Sequence, residues 1–183
     1  MKITNTIKGN NLFLKSLELN NISIHYLNWL RDKEVNYYLE TKHEKQSLSK
    51  IRSFVSTCNK SKDTYLLGIF TIDGFHIGNI KLGPIKFIHK LSPISIFIGE
   101  KDYWGKGLAA DAINTLSNFA FIEIGLNKLI AGMYSENTTS IKSFEKVGFV
   151  KEGIRKRHYK LDNVYTDIIE LGLLRERYNY KIN

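Results

Sequence analysis

In this 183-residue chain, the stretch 102–112 reads DYWGKGLAADA. Directly before it, ISIFIGE at 94–100 alternates in the manner of a β-strand, and an alanine-rich helical pattern follows. Gly105 and Gly107 stand between the two, where glycine permits unusual backbone conformations and lets a large group approach. The first N–H groups of a helix lack intrahelical partners and carry the positive end of its dipole. The stretch therefore predicts either a plain tight turn or a phosphate cradle at a helix N-terminus.

Two familiar phosphate-binding motifs do not describe this stretch. Lys106 is followed by glycine and not by Ser or Thr, so the glycines are not part of a Walker motif. No GxGxxG occurs, so a dinucleotide fingerprint is absent as well. If the stretch holds an anion, its backbone N–H groups must do so, and a pyrophosphate is the natural ligand.

The bulk composition is that of one globular domain, which we place at residues 1–183. Hydrophobic residues make up 43% of the chain, and no proline- or glycine-rich linker divides it. The net charge of +9 favours anionic partners, among them nucleic acid, membrane surfaces and phosphorylated small molecules. Cys58 is the one cysteine, so no internal disulfide forms, and the polar stretch around it gives no reason for a reactive thiolate. No secretory signal or membrane-spanning run is apparent, which predicts a cytoplasmic protein. No cluster of metal ligands accompanies Cys58, so no metal site is expected.

The order of secondary structure predicts a mixed α/β protein with hairpins. A strand at 11–19 comes first, and residues 23–39 then predict one helix ending near Lys33 followed by a second short helix. A further helix is predicted at 47–58, with Ser47 as its N-cap. Two strands flank the hairpin signal Asp73-Gly74, and a further strand leads to Glu100. The long helix at 107–125, a strand, a short helix closed by Gly148 and a final pair of strands complete the chain.

A second motif, ENTTSIKSFEKVGF at 136–149, lies downstream of the glycines. Asn137 and Ser140 flank the start of its helix, and Gly148-Phe149 follow the helix end. Together, the strand, the 102–107 loop, Asn137 and the Gly-Phe pair resemble the GNAT superfamily of acetyl-CoA-dependent N-acetyltransferases. That family holds the CoA pyrophosphate in a (Q/R)xxGx(G/A) loop. The likeness runs from about residue 12 to residue 174, and the wording is most similar to the ribosomal-protein and amino-sugar branch.

The resemblance implies a fold and a set of cofactor contacts. The fold is a central, mostly antiparallel twisted sheet, splayed at the acetyl-CoA site and flanked by helices, and a homodimer is a family-level expectation. The pantetheine arm lies on strand backbone and the pyrophosphate lies in the glycine loop. The implied acetyl-CoA contacts are Ile96, Phe97, Ile98, Tyr103, Trp104, Gly105, Lys106, Gly107, Leu108, Ala109, Asn137, Ser140 and Lys142. Lys142 is assigned to the 3′-phosphate, with a solvated helix residue as the alternative.

Two positions depart from the family pattern. Asp102 stands where Gln or Arg is frequent, a change that a backbone cradle tolerates. Phe144 stands where many members carry a tyrosine that protonates the leaving thiolate, and phenylalanine cannot donate a proton. We therefore expect the thiolate to take its proton from water or from another group.

Acetyl transfer to an amine also needs a proton acceptor. Glu100, at the end of the strand before the loop, is our first candidate, and an exposed loop carboxylate is the alternative. His89 is second because histidine titrates in the right range, and His25 is third as a residue of the acceptor pocket. His76 and His158 are expected to be exposed.

Three classes of function remain open, two of them with different acceptors. The resemblance favours the amino group of a nucleotide-diphosphate-linked (dTDP or UDP) 3- or 4-amino deoxysugar in cell-surface polysaccharide synthesis. Protein N-termini form the second class, and a basic nucleic-acid-binding module built on 151–160 is a non-enzymatic third, which we do not favour. For the sugar nucleotide, the expected stacking residues are Trp29, Tyr37 and Tyr38, and the expected diphosphate partners are Lys81, Arg155 and Arg157. Core packing and a solvated face are the alternatives for these two sets.

Overall fold

A computed structural model describes residues 1–178, and the predicted domain limit at 183 lies outside them. Eight strands form one sheet in the order β1-β2-β3-β4-β5-β6-β8-β7. The strands are β1 (Ile7–Lys8), β2 (Leu12–Ser16), β3 (Tyr65–Thr71), β4 (His76–Leu82), β5 (Leu91–Ile98), β6 (Lys128–Tyr134), β7 (Val150–Leu161) and β8 (Val164–Leu174). The helices are α1 (Ile24–Arg31), α2 (Leu48–Lys60), α3 (Leu108–Ile122) and α4 (Thr138–Val147).

The helices cover the two faces of the sheet and enclose two hydrophobic clusters. The larger cluster joins α3 and α4 to the sheet, and the predicted core residues Ile94, Ala112 and Leu116 lie in it. The smaller cluster joins α1 and α2 to the other face around Leu17, Phe70 and their neighbours. Burial of these apolar faces is the main stabilising contribution to the fold. No helix within residues 1–178 is both long enough and apolar enough to cross a membrane.

Local signals in the sequence set most element boundaries. The Ser47 hydroxyl accepts the N–H of Lys50 at 3.3 Å, which confirms the predicted N-cap of α2. Gly148 ends α4 with a φ of 108°. The predicted second helix within 23–39 is wrong, because the Asp32 carboxylate accepts the N–H groups of Glu34 and Val35 and turns the chain away from helix. Turns and a short 3₁₀ segment, Glu40–His43, follow instead.

The sheet is antiparallel except where β5 meets β6. These two strands pair only at Leu91, Ser92 and Pro93 of β5, opposite Lys128, Leu129 and Ile130. Beyond Pro93 and Ile130 the two strands continue but no longer pair with each other, and a gap opens between them. The predicted mixed fold with a splayed, mostly antiparallel sheet is therefore confirmed.

Candidate active site

The splay exposes backbone groups of β5. Gly83 N–H donates to the Pro93 carbonyl at 2.9 Å, and Gly99 N–H donates to the Ile77 carbonyl at 2.8 Å. The backbone groups of Pro93 and Gly99 therefore face β4. Backbone groups alternate along a strand, so those of Ile96 and Ile98 point to the gap. Phe97 differs from the prediction, because its backbone faces β4 and its side chain packs in the smaller cluster. One wall of the gap thus offers backbone N–H and C=O groups, which could form hydrogen bonds with the amides of an extended pantetheine arm.

The glycine loop continues from the gap to the N-terminus of α3. Gly105 and Gly107 have φ angles of 71° and 78°, in the left-handed region. Gly107 is the N-cap of α3 and supplies no capping side chain, so the first N–H groups of the helix have no side-chain acceptor there. The Trp104 indole N–H donates to the Ile98 carbonyl at 2.9 Å and ties the loop to β5. These features fit a pyrophosphate, which would lie against the N–H groups of Leu108 and Ala109.

A lysine that the sequence analysis missed lies at this loop. The Lys146 ammonium is 4.0 Å from the position that a Cβ on Gly107 would take. Within residues 1–178 no carboxylate forms an ion pair with it. The predicted Lys142 lies one turn earlier on α4 and is exposed. Because residues four apart share a helix face, the spacing from Lys142 to Lys146 was a usable signal.

The other predicted cofactor residues surround the same region. The Asn137 side chain accepts the N–H of Ser140 at 3.2 Å and caps α4 where that helix leaves the far wall of the gap. The Lys106 ammonium lies 5.2 Å from the centre of the Tyr103 ring. Phe144 is in the core, against Phe149. Contacts of these residues with acetyl-CoA stay predictions.

Two of the three candidate bases lie together on the α1 side of the sheet. Glu100 accepts the indole N–H of Trp29 at 2.9 Å. Glu100 and His25 line one cavity of about 270 Å³ at the carboxyl end of β5. His89 precedes β5, so the eight residues of the strand, roughly 25 Å, separate it from the loop. The structure therefore does not bring His89 to the glycine loop.

The other ionisable groups fall into two kinds. His76 was expected to be exposed, but it is half-buried; its Nε2 lies 2.8 Å from the Asn79 side-chain oxygen, and burial lowers its pKa. His158 is exposed as expected. Cys58 is buried, which raises the pKa of its thiol and suits an unreactive residue. No group of three His, Cys, Asp or Glu residues within 1–178 is arranged to hold a metal ion.

The residues predicted to bind a sugar nucleotide do not converge. Trp29 is only 5% exposed and packs in the core, against Gly99. Lys81 on β4 and Arg155 on β7 are four strand positions apart in the sheet, roughly 19 Å. Arg157 lies over the Tyr165 ring at 5.6 Å. Only Tyr37 and Tyr38 meet, with ring centres 4.8 Å apart.

Both tyrosines belong to a larger group, which we call the tyrosine cluster: Tyr37, Tyr38, Glu40, Tyr134 and Asp162. It forms where the chain between α1 and α2 contacts β6 and the β7–β8 hairpin. Tyr134 donates to Glu40 at 2.5 Å, and Tyr37 donates to Asp162 at 2.6 Å. Burial, and then the Glu40 carboxylate, raise the pKa of Tyr134 well above its usual range, so its hydroxyl stays protonated.

A lysine of the chain lies within this cluster. The Lys42 ammonium is 5.1 Å from the centre of the Tyr37 ring and 5.9 Å from that of Tyr134, and it donates to the Tyr37 carbonyl at 2.7 Å. These distances are those of cation–π contacts. The tyrosine cluster therefore already surrounds one primary alkylammonium.

Known proteins share this architecture. The acetyltransferase (GNAT) domain model matches residues 12–150. A probable N-acetyltransferase of Bacillus subtilis, YjcK, is 33% identical over 114 residues, which cover 61% of this chain and 62% of that protein. The spermidine N(1)-acetyltransferase of Vibrio cholerae is 28% identical over 102 residues, 56% of this chain and 58% of that protein. The chain thus matches about three fifths of the length of these curated relatives.

A solved structure extends the likeness to nearly the whole chain. A chimera of the spermidine N-acetyltransferase of Vibrio cholerae with hSSAT superposes with a TM-score of 0.81 at 25% identity. The superposition covers 92% of this chain and 98% of the chimera. The glycine loop and the splay lie inside the span that the domain model matches. By its fold and its sequence, the chain belongs to the GNAT acetyltransferase family.

Proposed function

We propose that the protein is an acetyl-CoA-dependent N-acetyltransferase whose acceptor is the primary amine of a small polycation of the polyamine class. The observation that carries the acceptor is the Lys42 ammonium, which lies over the Tyr37 and Tyr134 rings of the tyrosine cluster and donates to the Tyr37 carbonyl. Relatives named as spermidine acetyltransferases support the same class.

The cofactor end of the site rests on the splay and the loop. Acetyl-CoA supplies the activated acetyl group as a thioester. Ile96 and Ile98 would hold the pantetheine amides through strand backbone, and the N-terminus of α3 would hold the pyrophosphate. Lys146 adds a positive charge beside Gly107. With the phosphates at the loop, the thioester would lie toward the point where β5 and β6 join.

The acceptor end differs in charge from the chain as a whole. The chain carries a net charge of +9, yet three carboxylates, Glu40, Glu136 and Asp162, gather around Tyr37, Tyr38 and Tyr134. Tyrosine ring faces and carboxylates both attract ammonium groups, and they repel the phosphates of a sugar nucleotide. An acceptor with several ammonium groups would place one in this cluster, in exchange for the Lys42 ammonium, while another amine reacts.

The nucleotide-linked amino sugar inferred from the resemblance is the rival proposal. It requires a place where bases stack and basic side chains meet two phosphates. The buried Trp29 and the separation of Lys81 from Arg155 count against that arrangement. A protein N-terminus is the second rival, since an extended peptide can also lie along the open sheet.

A thiol-release assay with acetyl-CoA distinguishes the three classes. The panel contains spermidine and spermine, dTDP- and UDP-linked 3-amino and 4-amino deoxysugars, and peptides with free N-termini. We expect turnover with the polyamines. Turnover confined to one sugar nucleotide or to peptides would overturn the polyamine proposal while keeping the acetyltransferase, and no turnover with any amine would overturn both.

Glu40→Gln tests whether the tyrosine cluster binds an ammonium group of the acceptor. We expect the KM for spermidine to rise about fivefold, since the change removes roughly 1 kcal/mol of charge-assisted attraction. CoA affinity should not change. Glu44→Gln is the matched control, because Glu44 lies on the same connection but pairs with Lys50 in solvent. Equal KM values in the two variants would remove the tyrosine cluster from the acceptor site.

Lys146→Met tests the phosphate contact at the loop. We expect the Kd of CoA, measured by calorimetry at low salt, to rise about fivefold, and the effect to shrink as salt screens the charge. Lys142→Met is the control on the same helix, and we expect a smaller change. Dephospho-CoA separates the two phosphate sites: an undiminished effect places Lys146 at the pyrophosphate, and a lost effect places it at the 3′-phosphate. A larger loss in the Lys142 variant would restore the sequence-based assignment.

A further inference from the structure

One half of the sheet, formed by β6, β8 and β7, has a face on the α1–α2 side with no helix over it in the region described. Gly132 lies in the middle of β6, an interior strand, and is nevertheless exposed. It shares its face with Tyr134, two residues on, which packs against Tyr37 and Tyr38. This open face therefore borders the tyrosine cluster, and β6 is also one wall of the splay.

An ion pair stands on this open face between two glycines. Arg155 Nε lies 2.9 Å from Glu170 Oε1, and the side chains are 42% and 47% exposed. An Arg155 guanidinium nitrogen is 3.3 Å from the Cβ position of Gly132, and Glu170 Oε2 is 3.3 Å from that of Gly153. Both glycines are directly opposite Glu170 in the strand registers. Because Gly132 and Gly153 have no side chains, the ion pair has room between β6 and β7.

This position answers a need that the predicted bases leave open. Glu100 is bonded to Trp29 at the carboxyl end of β5, next to the phosphate loop, and His89 is beyond the opposite end of that strand. Glu170 stands one strand from the gap, level with Gly132, two residues past the last paired residue of β6. It lies on the face that borders the tyrosine cluster, where the proposed acceptor would bind, opposite the face that α3 and α4 cover.

We propose that Glu170 is the proton acceptor of the reaction and that Arg155 holds its carboxylate in place. The inference rests on the proposed acetyl transfer. The acceptor nitrogen forms a C–N bond to the thioester carbonyl carbon, and the C–S bond breaks. The sulfur leaves with the electron pair and takes a proton from water, because Phe144 has none to give. The proton lost by nitrogen passes to the Glu170 carboxylate, directly or through one water, and then to solvent.

The surroundings suit this role. The ion pair with Arg155 fixes the position of the carboxylate, and half-exposure lets the proton return to water. Arg155 also donates to His158 Nε2 at 2.8 Å, a second contact that holds the guanidinium. Other charged groups at this face are the Lys128–Glu152 pair, at 2.7 Å on β6 and β7, and Glu136, which accepts the Thr166 hydroxyl of β8.

Glu170→Gln tests the assignment because it keeps the volume and removes the charge. We expect kcat for spermidine to fall about 100-fold, while the Kd of CoA stays within about twofold. The acidic limb of the pH–rate profile should disappear as well. Glu152→Gln is the matched control: it breaks an ion pair on the same face, and we expect at least half the wild-type kcat.

The outcomes separate the two proposals. Wild-type protein without turnover on any amine rejects the acetyltransferase proposal itself. An active wild type with equal kcat in the Glu170→Gln and Glu152→Gln variants overturns the role of Glu170. Should the Gln variant unfold, Glu170→Asp decides: it retains a carboxylate, so we expect a reduced kcat with the acidic limb preserved. An Asp variant without that limb would contradict the inference.

Discussion

Gly107→Val should raise the Kd of CoA by at least about tenfold, the equivalent of roughly 1.4 kcal/mol. Gly107 has a φ of 78°, a conformation that β-branched residues rarely adopt. A valine there must either accept that strain or rotate the backbone, which turns the first N–H groups of α3 away from the phosphates. Its side chain would also stand beside Lys146, where the anion approaches. Calorimetric titration with CoA measures the effect without any acceptor.

Gly125→Val is the control for backbone strain. Gly125 has a φ of 76°, and no atom lies within 4 Å of its Cβ position. It follows the other end of α3, a helix of 15 residues and roughly 22 Å. We expect both variants to lose similar melting temperature, but only Gly107→Val to lose CoA affinity. Equal affinity in the two variants would mean that the glycine loop is a plain turn.

The parts of the fold that sequence predicts are those that local chemistry decides. Ser47, Asp73-Gly74 and Gly148 each fix an element boundary through a cap or a turn within a few residues. The glycine loop is equally local, since Gly107 needs its left-handed φ whatever surrounds it. These signals can be interpreted from sequence because caps and turns depend on residues that are close in the chain.

The roles of individual side chains were less predictable because distant contacts decide them. The sequence places Trp29 on a helix but does not show which face is buried. Its ring packs in the core because Gly99, 70 positions later, has no side chain there. The half-burial of His76 depends on Phe70 and on α1. The Arg155–Glu170 pair joins two strands whose register no local pattern reveals. The left-handed backbone of the glycine loop was therefore predictable from sequence, whereas the contacts of Trp29, His76 and Glu170 were not.

Gly78→Ala should destabilise the protein more than an ordinary strand substitution. A Cβ at Gly78 would clash with the Phe97 carbonyl oxygen and would lie 2.8 Å from the Ile98 Cα. Both are backbone atoms of β5, so no side-chain rotation relieves the clash, and the two strands must separate. We expect the free energy of unfolding to fall by about 3 kcal/mol, near the upper end for overpacking. A melting temperature lower by roughly 6–12 °C would accompany that change.

Gly132→Ala is the matched control, since Gly132 is also in mid-strand but its Cβ position is 3.3 Å or more from side-chain atoms only. We expect its free energy of unfolding to change by less than about 1 kcal/mol. The affinity for CoA separates two consequences of Gly78→Ala, because β5 carries Ile96 and Ile98 along the gap. If stability and CoA affinity fall together, the close approach of β4 sets the shape of the splay as well as the packing. If the alanine is tolerated with unchanged stability, β5 is free to shift, and its position cannot be what aligns the pantetheine arm.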